Sequence, residues 1–362
     1  MDIPPAHPAQ PASTALADAS LGTLAQQLAA WGYKPTHAAR VLRAFYAGGD
    51  ITDSTARRLP RGLAERLRTA YNSSTGKPAA RQVAADGTTR LLFRLGDGRT
   101  VESVLMPGLR ADRAAGCLSS QVGCAMGCDF CASTRRGFER NLTTGEIVEQ
   151  FLALRREAHA LGRRLQTIVF MGMGEPLLNL DAVLPAVHRL ADHAFGGLGW
   201  RQITVSTVGI VPGIDALTAT GLNLQLAVSL HAPDDATRAQ LLPMGKRFPI
   251  ADILAAADRF QARRGRPVTV QYCLLGGVND SLAQAHLLAE LIRPRRMHLN
   301  VLRYHPTGPG LRGIAYEPSS DERSAAFVAV LRSHRIVAHC RRSRGLDIDA
   351  ACGQLQGNAA AV

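Results

Sequence analysis

Three cysteines within one short run constrain this chain more than any other feature. Cys124, Cys128 and Cys131 lie in GCAMGCDFCAS with C-x3-C-x2-C spacing. Thiolates hold iron–sulfur clusters, and a cubic 4Fe–4S cluster has four corners to fill. Three close cysteines fill three corners and leave one iron open, much as a catalytic zinc keeps one coordination position free. A structural zinc site is the competing reading, with Cys117 seven residues upstream as a fourth thiolate. Zinc knuckles use two C-x2-C pairs, and only Cys128 and Cys131 form one. An odd count of seven cysteines in a 362-residue chain without a secretion signal argues against a disulfide framework.

A chain of this length buries a large core, as one domain or as one with a smaller companion. Residues 1–20 are biased to Pro and Ala and read as a disordered tail. They lack the basic-then-apolar order of a secretory leader. No apolar run approaches the roughly 20 residues of a membrane-spanning helix. Unpaired cysteines suit a reducing cytoplasm, so a cytoplasmic protein is expected. The formal charge of +13 points to a polyanionic partner, nucleic acid first. Between Arg259 and Arg344 fifteen arginines face five acidic residues. The plainer reading of such runs is solvated helix faces and loops.

Residues 21–76 read as a small helical domain. Leu24, Leu28 and Trp31 share one helical face, Val41, Leu42 and Phe45 share another, and Gly32 and Gly48-Gly49 punctuate them. Residues 77–109 read as a β-hairpin extension broken by Asp86-Gly87 and Gly96-Asp97-Gly98. From 110 to 346 strand and helix alternate. A helix is expected over 143–161, and strands over 166–171, 202–208, 223–229, 268–274 and 297–302. About six such units predict an α/β fold, a parallel sheet covered by helices and curled into a partial (β/α)6 TIM-like barrel. The active site of such folds collects at the C-terminal edge of the strands. Residues 347–362 remain as a C-terminal segment.

The candidate site residues fall on that edge. The strand at 166–171 runs into Gly172-Met173-Gly174-Glu175-Pro176, where glycines let backbone approach a ligand and Glu175 supplies a carboxylate. Ser206 ends the next strand, and Ser229-Leu230-His231 ends the one after. Taken singly, each is more often a strand-end polar residue or a helix cap than a ligand contact.

The C-x3-C-x2-C spacing, with Phe130 before the third cysteine, resembles that of radical S-adenosylmethionine (AdoMet) enzymes, in which AdoMet occupies the open iron. The set CLSSQVGCAMGCDFCAS, FMGMGEPLLNL, STVGIVPGIDAL, AVSLHAPDD, LLGGVND and RGLDIDAACGQL resembles the RlmN/Cfr family of radical AdoMet RNA methyltransferases over residues 100 to 356. The resemblance implies a radical AdoMet barrel, one 4Fe–4S cluster on Cys124, Cys128 and Cys131, and AdoMet contacts from Gly174, Glu175, Ser206, Ser229 and His231. It implies that Cys352 accepts a methyl group from one AdoMet. A radical derived from a second AdoMet activates that methyl, which adds to an adenine carbon. Cys117 then resolves the adduct, with a transient disulfide to Cys352 as one route. Glu102 matches a residue with a proton-acceptor role, although from its own neighbourhood it reads as a surface strand carboxylate. Cys273 and Cys340 match no motif and read as buried small hydrophobes.

The implied function is methylation of carbon 2 or carbon 8 of adenine, carbon 2 preferred, in structured RNA: 23S ribosomal RNA and also transfer RNA. A monomer reduced by a donor such as flavodoxin is implied as well. Departures from the family pattern mark a divergent paralogue. His305 stands where an AdoMet-contacting Asn is expected, and residues 307–312 and the LLPMGKRF run are altered. A radical AdoMet enzyme on another substrate and a zinc-stabilised RNA-binding protein are the alternatives.

Overall fold

The computed structural model describes residues 15–48, 58–72 and 74–357. Its N-terminal helices are α1 (Leu21–Ala30), α2 (His37–Gly48) and α3 (Leu63–Ala70). Leu24, Leu28, Val41, Leu42 and Phe45 are fully buried, so the two apolar faces meet as the spacing requires. Gly49 and residues 1–14 of the expected tail lie outside the described residues. Residues 15–20 do not form a tail: Leu16 and Ala17 are buried, and Ser20 caps α1 with a reciprocal capping box to Thr23.

Strands β1 (Gly76–Val83), β2 (Thr89–Leu95), β3 (Thr100–Pro107) and β4 (Arg113–Cys117) follow. They form an antiparallel meander, not a separate hairpin, because β3 also pairs with β4. A small ribbon, β5 (Gln121–Gly123) with β6 (Phe138–Asn141), brackets the cysteine loop. From there the chain alternates: α4 (Thr144–Ala160), β7 (Arg164–Phe170), α5 (Leu180–Ala191), β8 (Ile203–Thr207), α6 (Val211–Ala219), β9 (Gln225–Ser229). It continues through α7 (Asp235–Leu241), α8 (Ile250–Arg264), β10 (Val268–Leu274), α9 (Leu282–Ile292), β11 (Met297–Arg303), α10 (Asp321–Ser333) and β12 (Ala338–Arg341).

All the strands but β5 and β6 make one sheet, in the order β1-β2-β3-β4-β7-β8-β9-β10-β11-β12. From β4 to β12 neighbours are parallel, and each is joined to the next through helix. Parallel strands covered on their faces read as near-continuous apolar runs, which is why Ile203, Val205, Val268 and Val270 are fully buried. The β1 and β12 edges do not pair, so the sheet is an open α/β barrel and not a closed cylinder. No helix among the described residues is long and apolar enough to cross a membrane.

Two carboxylates tie the front of the chain to the barrel. Asp18 Oδ1 accepts from Gly145 N–H (2.6 Å) in the first turn of α4, where a donor lacks an intrahelical partner. Glu149 on α4 accepts from the backbone N–H groups of Thr75 and Gly76 (2.9 Å each) and fixes the start of β1.

Candidate active site

The cysteine loop leaves the β5–β6 ribbon at Gly123, whose φ of +70° no β-carbon could share: one placed there would meet Gly137 O at 1.8 Å. Cys124 N–H donates to Gly137 O (2.9 Å), and Thr134 Oγ1 donates to Cys131 O (2.9 Å). Asp129 N–H donates to Leu241 O at the end of α7 (2.9 Å), while its buried carboxylate accepts from Tyr316 Oη (2.7 Å) and Arg312 N–H (3.0 Å). The loop is therefore gripped from both sides. The altered 307–312 segment supplies one grip.

Burial pushes the three thiols up: Cys124 to about 12, Cys128 well above the usual thiol value, and Cys131 in the same direction. Cys131 and Cys124 both add to the rise at Cys128, and the guanidinium of Arg238 opposes it. Arg238 is itself 1% exposed; its Nε donates to Leu230 O (3.2 Å). Among the described residues no three His, Cys, Asp or Glu side chains converge on a point suited to one metal ion. A cubic cluster instead spreads its thiolates over separate irons, and a donor set of two buried thiols and the half-buried Cys131 beside one cation suits its chemistry. Binding such a group must release the thiol protons.

After β7 the chain passes Gly172 and Gly174. A β-carbon at Gly172 would meet Ser119 Oγ at 2.7 Å, and one at Gly174 (φ +96°) would meet Gln121 Cβ at 2.5 Å. These glycines exist because the segment leading into the cysteine loop lies directly against them. Gln121 Oε1 accepts from Glu175 N–H (2.8 Å), and Ser119 Oγ accepts from Met173 N–H (2.9 Å). The Glu175 carboxylate accepts from Leu177 N–H (3.0 Å) and Val208 N–H (2.8 Å), yet burial raises it to about 7.

Ser206 is buried in β8 and Ser229 half-buried at the end of β9. His231 just beyond takes a left-handed φ of 60°. Its Nδ1 accepts from Cys273 N–H (2.9 Å), which leaves the proton of the neutral ring on Nε2. Burial lowers its pKa to about 3, and its ring stands edge-on to Phe130 at 5.1 Å. His305 follows β11, half-buried, with Nε2 engaged by Ser343 Oγ.

Cys117 ends β4 and is buried. Burial pushes its thiol to about 12; Cys352 adds to the rise and the Met171 backbone amide opposes it. Cys352 is exposed in a crowded recess that raises its pKa, with Arg341 pulling it down and Cys131 pushing it up. The cysteine loop and the Cys352 loop bond directly: Ala132 N–H donates to Gly353 O (2.7 Å) and Ser133 Oγ to Leu355 O (2.7 Å). Cys273, one residue from the end of β10, is half-buried, and burial pushes its thiol up, with Cys352 and Cys131 adding to the rise. Cys340 is exposed on β12, not buried as expected.

Glu102 is no surface carboxylate; it is 1% exposed, because β3 is covered on both faces. All seven cysteines are free thiols, so the expected Cys117–Cys352 disulfide is not formed here. A cavity of about 290 Å³ between Arg293, Arg295, Arg296 and Arg335 lies before β11 and β12, at the sheet edge opposite the thiols.

A profile described as the radical SAM superfamily matches residues 118–288. The chain is 70% identical over 342 residues to a protein of Opitutus terrae described as probable dual-specificity RNA methyltransferase RlmN 1, covering 94% of this chain and 96% of that one. It is 41% identical over 339 residues to the probable dual-specificity RNA methyltransferase RlmN of Gemmatimonas aurantiaca, covering 94% and 91%. The crystal structure of a radical SAM methyltransferase from Sphaerobacter thermophilus has a TM-score of 0.89 at 41% identity, covering 95% of this chain and 99% of that one.

Proposed function

The chain belongs to the RlmN family of radical SAM RNA methyltransferases, and from that premise we propose that it methylates a ring carbon of adenine, carbon 2 rather than carbon 8. The relatives' description as dual-specificity enzymes supports two RNA substrates, which we assign to 23S ribosomal RNA and transfer RNA. A flavodoxin-class donor reduces the monomeric enzyme. When bound, a 4Fe–4S cluster on Cys124, Cys128 and Cys131 supplies the electron that opens AdoMet reductively.

The ring carbon is electrophilic, so it cannot take a methyl cation directly; a carrier thiol is needed. Cys352 Sγ attacks the methyl carbon of one AdoMet. The sulfonium bond breaks, a thioether forms, S-adenosylhomocysteine leaves and the thiol proton passes to solvent. The S-methyl group loses a hydrogen atom to the AdoMet-derived radical, and its carbon joins the ring. The ring carbon then gives up its proton, with Cys117 as the base, and the adduct returns one electron to the couple that supplied it. Cys117 Sγ, as the thiolate, then attacks Cys352 Sγ. An S–S bond forms, and the electron pair of the S–C bond passes to the carbon, which takes a proton. Glu175 and the neutral His231 bind and orient AdoMet at the strand edge. The basic surface holds the phosphate backbone while the target base is unstacked.

One observation carries this reading. Cys352 is exposed and is borne on a loop hydrogen-bonded to the cysteine loop. The test is nucleoside mass spectrometry after anaerobic incubation of reconstituted protein with AdoMet, a reductant and unmodified ribosomal or transfer RNA. A 2-methyladenosine peak that disappears in C352A is expected. Turnover unchanged in C352A defeats the carrier mechanism, and an 8-methyladenosine peak reassigns the target carbon.

A further inference from the structure

The backbone of the loop carrying Cys352 is held from the antiparallel meander as well as from the cysteine loop. Glu102 Oε2 accepts from Gln356 N–H (2.9 Å), after the cysteine. Glu102 Oε1 lies 3.4 Å from Arg90 Nη1 in a pair whose members are 4% and 1% exposed. Arg90 Nη1 in turn donates to Asp349 O (3.4 Å), before the cysteine, and Arg90 Nε donates to Gln82 Oε1 (3.0 Å). In the β2–β3 register Arg90 stands opposite Val104 and Glu102 opposite Leu92. That makes the two diagonal neighbours on one face. Each member of one buried ion pair thus grips one end of the 349–357 loop. Both carboxylate oxygens of Glu102 are thus engaged inside the protein, at 1% exposure.

We propose that the Arg90–Glu102 pair is a clamp that positions the Cys352 loop, and that Glu102 is a positioning residue and not a proton acceptor. This rests on Cys352 being the methyl carrier. The clamp also gives the meander a role: it is the anvil against which the carrier loop is set. Thr100 Oγ1 and Arg136 Nη1 (2.9 Å) both donate to Gly357 O and extend the same hold.

The test uses the full chain, metal-free and reduced, and reads hydrogen–deuterium exchange over 349–357 together with iodoacetamide labelling of Cys352; exposed Cys340 is the internal control. E102A takes the carboxylate away from the buried Arg90 charge, so R90M/E102M, which removes both charges, guards against simple unfolding. In R90M/E102M the 353–357 amides are expected to exchange about tenfold faster, the loss of roughly one hydrogen bond's worth of protection. Cys352 should label faster while Cys340 does not change. In E102Q the amide oxygen still accepts from Gln356, so exchange stays within about threefold of the parent. The reconstituted E102Q enzyme should then methylate RNA several-fold faster than E102A, with the parent's pH profile. Unchanged exchange in R90M/E102M overturns the clamp. E102Q as inactive as E102A, with normal exchange in both, restores the proton acceptor. A parent enzyme that methylates no RNA defeats the functional reading, and exchange then decides the clamp alone.

Discussion

Replacing Glu175 with Gln reads the electrostatics of the glycine turn directly. Burial lifts its carboxyl to about 7 from an ordinary 4.5, against the pull of Val208 N–H, Leu177 N–H and Thr207. Desolvation wins that contest. In the metal-free protein between pH 4.5 and 7, the unfolded chain has lost this proton and the folded chain keeps it. The folded state binds more protons, so this group's contribution to stability is complete below pH 4.5 and is lost as pH rises through 7. The difference between 4.5 and about 7, at about 1.4 kcal/mol per pH unit, amounts to about 3 kcal/mol. A Gln at 175 cannot titrate, and its NH2 must face either Leu177 N–H or Val208 N–H. That donor–donor conflict costs about 1–3 kcal/mol at every pH. Urea unfolding of both proteins from pH 4.5 to 8, in the absence of oxygen, is the assay. The stability advantage of the parent over Glu175→Gln should shrink by about 3 kcal/mol across that range. Titration of His231 is common to both proteins and cancels in the difference. A gap that stays constant with pH refutes the burial argument.

His231 runs the other way. Its pKa is lowered to about 3 by burial, so the stability it carries is present above 6.5 and lost as pH falls towards 3. Relative to His231→Gln, the parent should lose about 2 kcal/mol between pH 6.5 and 5, measured by the same unfolding assay. Gly174→Ala combines a φ of +96° with a β-carbon 2.5 Å from that of Gln121. It should cost about 2–4 kcal/mol, read as a depressed melting temperature. Arg341 holds the Cys352 thiol below where burial alone would put it. Arg341→Met should move the pH profile of Cys352 alkylation to higher pH, several-fold slower at pH 8; an unmoved profile removes Arg341 from the site.

The elements legible in the sequence were those with a local cause. The β7, β10 and β11 strands announce themselves as apolar runs, α4 by its helical spacing, and the barrel by the alternation between them. The cysteine spacing and the Gly172–Glu175 turn were equally plain. What could not be read depends on partners far along the chain. Residues 15–20 look like tail because their order comes from Gly145 and Arg189. Glu102 looks exposed because its cover comes from Gln356 and Arg90. Arg238 is one more arginine in a basic chain until β8 and β9 close over it, where Val208 O and Leu230 O accept from it.

The bonds from Ala132 N–H and Ser133 Oγ to Gly353 and Leu355 also set an order of events during synthesis. A chain made from its N-terminus has Cys124, Cys128 and Cys131 in place more than two hundred residues before their last hydrogen-bond acceptors exist. The barrel strands in between can pair and pack while the cysteine loop still lacks its outer wall. The cysteine loop is thus the last part of the core to be closed, and the segment that closes it is the loop that carries Cys352.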